Sequence, residues 1–122
     1  ICGYATERSA IYASLTAVVM PSPAEGFSLV VPEALAAGLP LIATRLPHFE
    51  RCLRDGSDVL FFDPHTPGDL VRVLRLMMRD TQLQHAMRTS ARKAAEKHFS
   101  VLEEAEAVAA FYDKVLSSPR SL

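Results

Sequence analysis

Apolar residues gather in short runs without polar alternation along the first half of the chain: TAVVM at 16–20, LIAT at 41–44 and VLFFD at 59–63. A strand with one wet face alternates apolar and polar positions, so unbroken runs predict parallel strands covered on both faces, the first ending at Pro21. Ahead of them, Thr6 can cap a short helix through about Ser14, with Ile11, Tyr12 and Leu15 at helical spacing. Between the first two strands, Glu33-Ala34-Leu35-Ala36-Ala37 reads as a helix stopped by Gly38 with Pro40 two residues on. This is a βαβ unit, and a second, shorter crossover runs from Thr44 to the turn at Asp55-Gly56.

Beyond Asp63-Pro64, a strand-end turn, the period becomes helical throughout. Thr66-Pro67-Gly68-Asp69 offers an N-cap, a first-turn proline and an acid three positions after the cap, followed by the apolar stripe Leu70, Val73, Leu74 and Met77. Asp80 or Thr81 can start the next helix, with Leu83, Met87, Ala91 and Ala94 inward and Arg88, Arg92, Lys93 and Lys97 on a solvated face. Ser100 and Glu103 form a capping box for a last helix with Val101, Ala105, Val108, Tyr112 and Val115 along one side. The expected fold is α/β, an open parallel sheet with flanking helices and a helical C-terminal tail. Residues 1–99 form the sheet domain, 100–116 its last helix and 117–122 a frayed end.

Composition narrows the class. The chain has 122 residues, 49% of them hydrophobic, enough for one core and too few for two. Its 13 basic and 14 acidic residues leave a formal charge of -1, which gives no field to draw in nucleic acid or an anionic membrane. Cys2 and Cys52 make neither a disulfide framework nor a zinc site, so a reducing, cytoplasmic setting is expected. No apolar run approaches the roughly 18 to 20 residues that span a bilayer. The chain begins at Ile1, and Ile1-Cys2-Gly3 resembles the end of a strand whose start is absent, which predicts a piece of something longer.

The candidate chemistry lies in PSPAEGFSLVVPEALAAGLP, residues 21–40. In an open parallel sheet, ligands sit outside the carboxyl ends of the strands, where loops lead into helices. Gly26 lets backbone approach a ligand closely, and the N–H groups of Phe27, Ser28 and Leu29 could face a phosphate. Glu25 and Glu33 could each accept hydrogen bonds from paired hydroxyls, as sugars and riboses carry. Paired carboxylates also suit a glycosidase, but that chemistry needs them to flank a bond rather than to sit around a helix start. For Glu33 alone, a helix-start acid is the plain structural alternative.

Pro21-Ser22, Glu25-Gly26-Phe27, Glu33-Ala34 and Gly38-Leu39-Pro40 together resemble the E-x7-E signature of retaining GT-B glycosyltransferases, in particular glycosyltransferase family 4 (glycosyl transferases group 1), and the similarity runs from about Gly3 to Leu116. The resemblance implies the Rossmann-like, donor-binding C-terminal half of such an enzyme, N-terminally truncated. It implies that Glu25, the catalytic position, contacts donor-sugar hydroxyls as a positioning group rather than a nucleophile. Gly26, Phe27, Ser28 and Leu29 would approach the sugar and diphosphate, and Glu33 would hold the ribose hydroxyls. It further implies a nucleotide-sugar donor, no metal and no other cofactor, with protein dipoles and basic side chains stabilising the departing diphosphate. The Arg and Lys of the phosphate clamp would lie upstream, along with the acceptor domain, so this fragment alone should be inactive. The acceptor class, glycan, lipid-linked or small molecule, stays open, as does peripheral membrane association of a full-length enzyme. The last helix would pack toward the other domain in relatives, and its apolar face is a liability for self-association here.

Some positions depart from the family pattern. Ser28 stands where glycine is usual, Pro32 removes a donor just before Glu33, and the 45–50 loop has Leu46, Pro47 and His48 with Glu50 offset by one. Neither His48 nor Glu50 is therefore assigned a catalytic role. The alternatives are a non-catalytic nucleotide-sugar-binding or interaction module of the same fold, and another GT-B activity such as an epimerase, which fold alone does not separate.

Overall fold

The computed structural model describes residues 7–26 and 28–117. The elements in order are α1 (Arg8–Ala13), β1 (Val18–Met20), α2 (Val30–Ala36), β2 (Leu41–Thr44), α3 (Pro47–Glu50), β3 (Leu60–Phe62), α4 (Asp69–Arg79), α5 (Thr81–His98) and α6 (Val101–Ser117). The strands form a parallel sheet in the order β1-β2-β3, with Val18 opposite Leu41 and Ile42 opposite Leu60. The open parallel α/β sheet expected from the apolar runs is thus found. No helix among the described residues is long and apolar enough to cross a membrane.

Alternation along the strands divides the core in two. On one face Val18, Met20, Leu41, Ala43 and Phe61 meet Val31, Ala34 and Leu35 of α2, Phe49 of α3, and Ala91, Ala94 and Ala95 of α5. On the other, Ile42, Leu60 and Phe62 meet Val73 and Met77 of α4 and Met87 of α5. One helix, α5, therefore belongs to both layers. Its alanines let α2 approach closely, as small residues do wherever two helices pack tightly.

The first strand departs from the expectation. Val19 is 40% exposed, because α4 packs on β3 and leaves the outer face of β1 only partly covered. The strands also start later than the apolar runs suggest, at Val18 and Leu60, since Val59 pairs only as an isolated bridge with Asp55.

Helix boundaries follow local chemistry. The expected cap Thr6 lies outside the described residues; α1 follows Glu7, whose own side chain makes no capping bond. Pro32 sits inside the first turn of α2, where its missing N–H costs no helical bond, and Glu33 N–H makes the first such bond, to Leu29 O at 3.1 Å. At the other end, Gly38 N–H donates to Leu35 O at 2.9 Å and Leu39 N–H to Ala34 O at 3.0 Å, with Gly38 at φ +68°. That pairing is a Schellman motif, and it requires a left-handed residue.

Thr66 does not cap α4. Its hydroxyl donates to Asp63 Oδ2 at 2.7 Å, and the helix starts at Asp69 after Gly68 at φ +84°, because the Asp63 carboxylate organises the preceding turn. Asp80 caps α5 as expected, accepting from Leu83 N–H at 2.8 Å. Arg88, expected in water, is half-buried and donates to Thr16 O at 3.1 Å. Ser100 Oγ accepts from Glu103 N–H at 3.4 Å, and α6 runs to Ser117, one residue past its expected end. The tail beyond it lies outside the described residues, as do Ile1-Cys2-Gly3. The apolar positions of α6 are uncovered, from 48% exposed at Val108 to 77% at Leu116.

A buried carboxylate fastens the loop before β3 to α5. Asp58 Oδ2 accepts from Arg54 N–H and Nε, each at 3.0 Å, and Oδ1 accepts from Arg54 Nη2 at 3.0 Å and from the Ser90 hydroxyl. Burial pushes the Asp58 carboxyl up, and these donors more than reverse that, holding it down at about 2.

Two outcomes follow from these contacts. With a folded pKa of about 2 against about 3.9 unfolded, Asp58 contributes stability above pH ~4 that is lost as pH falls toward 2. Asp58→Asn should lower stability at pH 7 by about 1–3 kcal/mol and flatten that acid limb in urea titrations run from pH 6 to 2. Gly38→Ala should cost about 1–2 kcal/mol by the same assay. The added Cβ would meet only Arg88 O, at 3.6 Å, so the cost is the backbone conformation and not a clash.

Candidate functional site

The β1–α2 connection leaves the carboxyl end of β1 and carries most of the candidate residues. Glu25 is half-buried in this loop, Gly26 is exposed, Ser28 is half-buried and Leu29 is exposed; Phe27 lies outside the described residues. A Cβ at Gly26 would meet nothing within 4 Å, so its backbone lies open to an approaching group. The helix that follows has only 7 residues, too short for a large macrodipole, and no side chain caps it.

Glu33 occupies the first turn of α2. Arg8 Nη1 donates to its Oε1 at 2.6 Å and the Tyr12 hydroxyl to its Oε2 at 2.8 Å. Arg8 and Tyr12 lie four residues apart on α1, one helical turn, so both reach the same carboxylate. The Tyr12 hydroxyl chiefly, and Arg8 after it, hold the Glu33 carboxyl below the ordinary glutamate range against a smaller opposing effect of burial. Burial, and then the bond to Glu33, push the Tyr12 phenol up to about 12, so it remains a donor at neutral pH.

These partners were not foreseen. Tyr12 was expected only as part of an apolar stripe with Ile11 and Leu15. In fact α1 buries no residue, Ile11 is 40% exposed, and Tyr12 alone of the three packs against the core, its ring inward and its hydroxyl on Glu33. A tyrosine at an apolar helical position, four residues after an arginine, was the available signal.

Glu33 lies in the walls of two clefts. A smaller one, of about 450 Å³, runs between α1 and α2 past Arg8, Tyr12 and Ala36. A larger open one, of about 1000 Å³, lies between α2 and the junction of α5 with α6, where Leu29, Pro32, Arg92 and Phe99 contribute. Glu25, Gly26 and Ser28 line neither. Glu96, Glu103 and Glu104 join Glu33 around the larger cleft against Arg92 and His98, a balance that suits hydroxyls better than phosphates.

The altered 45–50 loop is tied down by its own charges. Arg45 Nη1 donates to Glu50 Oε1 at 2.8 Å, Arg45 also pairs with Asp55, and its guanidinium lies 5.2 Å from the centre of the Phe61 ring. Glu50 is thus an ion-pair partner. The His48 ring is tilted against Phe49 at 4.1 Å between centroids, and its buried Nε2 has no hydrogen-bond partner among the described residues. Asp63, at the end of β3, accepts from His65 N–H at 2.9 Å and serves its turn. Among the described residues, no group of three or more His, Cys, Asp or Glu side chains could hold a metal ion.

A D-inositol 3-phosphate glycosyltransferase of Paenarthrobacter aurescens (strain TC1) is 36% identical over 92 residues, 75% of this chain and 22% of that protein. Sulfoquinovosyl transferase SQD2 of Arabidopsis thaliana is 35% identical over 95 residues, 75% of this chain and 19% of that protein. The chain therefore spans about a fifth of the length of these relatives.

Among solved structures, sucrose-phosphate synthase from Thermosynechococcus elongatus superposes with a TM-score of 0.79 at 21% identity, covering 89% of this chain and 27% of that one. Anabaena Alr3699/HepE, solved in complex with UDP-glucose, gives 0.78 at 22% identity over 85% of this chain and 29% of that one. These likenesses establish the fold, the Rossmann-like open sheet expected for half of a GT-B architecture. The description "Glycosyl transferases group 1" matches residues 2–94, a span that takes in the βαβ unit, Glu25 and Glu33; the chain belongs to that family.

Proposed function

We propose that this chain is the donor-binding part of a retaining glycosyltransferase, one that takes a sugar from a nucleotide diphosphate and passes it to an acceptor bound elsewhere. The observation that carries this reading is the state of Glu33. Its carboxylate is fixed at the start of α2 by one donor on each oxygen, and it remains 30% exposed. A carboxylate offers about four lone-pair sites, so about two stay open, spaced to receive the two hydroxyls of a ribose.

On this reading Glu25 contacts hydroxyls of the donor sugar, and backbone from Gly26 through Phe27 and Ser28 to Leu29 approaches the sugar and diphosphate. The open surface at Gly26 supports that approach. Glu25 positions the donor and is not a nucleophile. Charge on the departing diphosphate would be met by backbone donors and by basic side chains from outside this chain, with no metal and no other cofactor. Family membership and the UDP-glucose bound to a protein of the same fold favour a nucleotide-sugar donor.

Transfer also requires an acceptor domain that these residues do not supply, so the 122-residue chain alone binds donor without turning it over. A cytoplasmic setting fits such donors. The uncovered apolar side of α6 favours self-association of the chain at high concentration.

Saturation-transfer NMR of the chain with UDP, GDP, ADP and their sugar conjugates tests this. Transfer to the ribose protons of one nucleotide is expected, and Glu33→Ala should weaken that nucleotide roughly tenfold or more, since hydrogen bonds to a charged group contribute about 1.5–3 kcal/mol. Transfer that survives the substitution undiminished would remove Glu33 from the site.

A further inference from the structure

We propose that Tyr12 is a positioning residue for the nucleotide ribose: its hydroxyl, bonded to Glu33 Oε2 at 2.8 Å, fixes the carboxylate in the orientation that receives the ribose hydroxyls. The inference rests on the donor-binding reading and adds to it a residue outside the E-x7-E stretch.

Both Arg8 and Tyr12 hold Glu33, but not equally. The Arg8 side chain is 70% exposed, and an exposed ion pair gives way readily to water and salt. The Tyr12 ring packs against the first core cluster, so its hydroxyl has little freedom to leave. A phenol on two rotatable bonds is a stiff donor, whereas an arginine must order a long chain to reach the same place.

The two donors occupy opposite carboxylate oxygens. Each oxygen keeps roughly one lone pair free of these two donors. Rotation of the carboxyl group would break the Tyr12 bond and strand the phenol beside the core, at a cost that keeps the open lone pairs in place. A site with fixed acceptors favours a ligand that presents both hydroxyls at once, and it discriminates against one that lacks either, because a fixed acceptor is then left unpaired. Tyr12 is thereby a determinant of the preference for ribose over deoxyribose.

Tyr12→Phe removes the donor and keeps the ring. The test titrates the 122-residue chain and this variant with UDP, GDP and ADP and with their 2′-deoxy counterparts. Alongside, the 13C-carboxyl resonance of Glu33 is followed with pH. For whichever nucleotide binds, Tyr12→Phe should weaken the ribose form about fivefold to tenfold and the deoxy form less than about twofold, compressing the ratio between them. The Glu33 carboxyl should titrate higher in the variant.

Equal losses for the two forms, or no loss, would overturn the positioning role while leaving the donor-binding reading intact. A wild-type chain that binds none of the nucleotides would overturn both. If Tyr12→Phe does not fold, Arg8→Gln isolates the contact. With Arg8 gone, Glu33 should still titrate below the ordinary range, held by Tyr12; an ordinary titration there overturns the proposal.

Discussion

Parallel pairing of β1 with β2 is the constraint on which the remainder depends. With Val18 opposite Leu41 and Met20 opposite Ala43, the chain must travel from the carboxyl end of one strand back to the start of the other, and α2 is that return path. The buried side of α2, Val31, Ala34 and Leu35, fixes its rotation against the sheet. Glu33, between these positions, is then presented at the rim of the sheet where the β1–α2 loop opens. Packing of α2 against the alanines of α5 locks the arrangement, and α5 also reaches the opposite core layer through Met87. Placement of the carboxylate is therefore a consequence of core packing and not of local loop chemistry.

Two carboxylates in this molecule have the same kinds of partner and opposite meanings. Asp58 and Glu33 each accept from an arginine and a hydroxyl, and each has its pKa lowered by them. Asp58 is buried, and its oxygens are filled by the Arg54 backbone, the Arg54 guanidinium and Ser90. Nothing further can bind there, and its work is to join a loop to α5. Glu33 is half as well satisfied and open to water. A desolvated, saturated carboxylate stabilises a fold; a held but unsaturated one keeps acceptor capacity, which the proposed donor site would use.

Much of this was legible in the sequence because it depends on local rules. Unbroken apolar runs gave parallel strands, Gly38 gave the end of α2, and Asp80 gave the start of α5. The failures have physical causes. The pattern at Thr66 matches a cap, but its hydroxyl is bonded to Asp63 and α4 starts at Asp69. Val19 was expected inside, but covering β1 on its outer face depends on which strand α4 packs against. For the site, the E-x7-E stretch named Glu33 but not its partners, because a contact from residue 12 to residue 33 between two helices leaves no periodic trace. The outward apolar side of α6 was legible as a stripe, and its exposure is a tertiary fact.

The central claim is that the rim around the β1–α2 loop and α1 binds a nucleotide sugar. Amide chemical-shift mapping of the 15N-labelled chain with UDP-glucose, repeated with the GDP and ADP analogues, tests it most directly. The account predicts that a binding nucleotide sugar perturbs residues 25–33 together with Arg8 and Tyr12, and leaves α4 and the loop around Asp58 still. Perturbations centred on α6 or on the outer face of α5, with 25–33 unmoved, would contradict it.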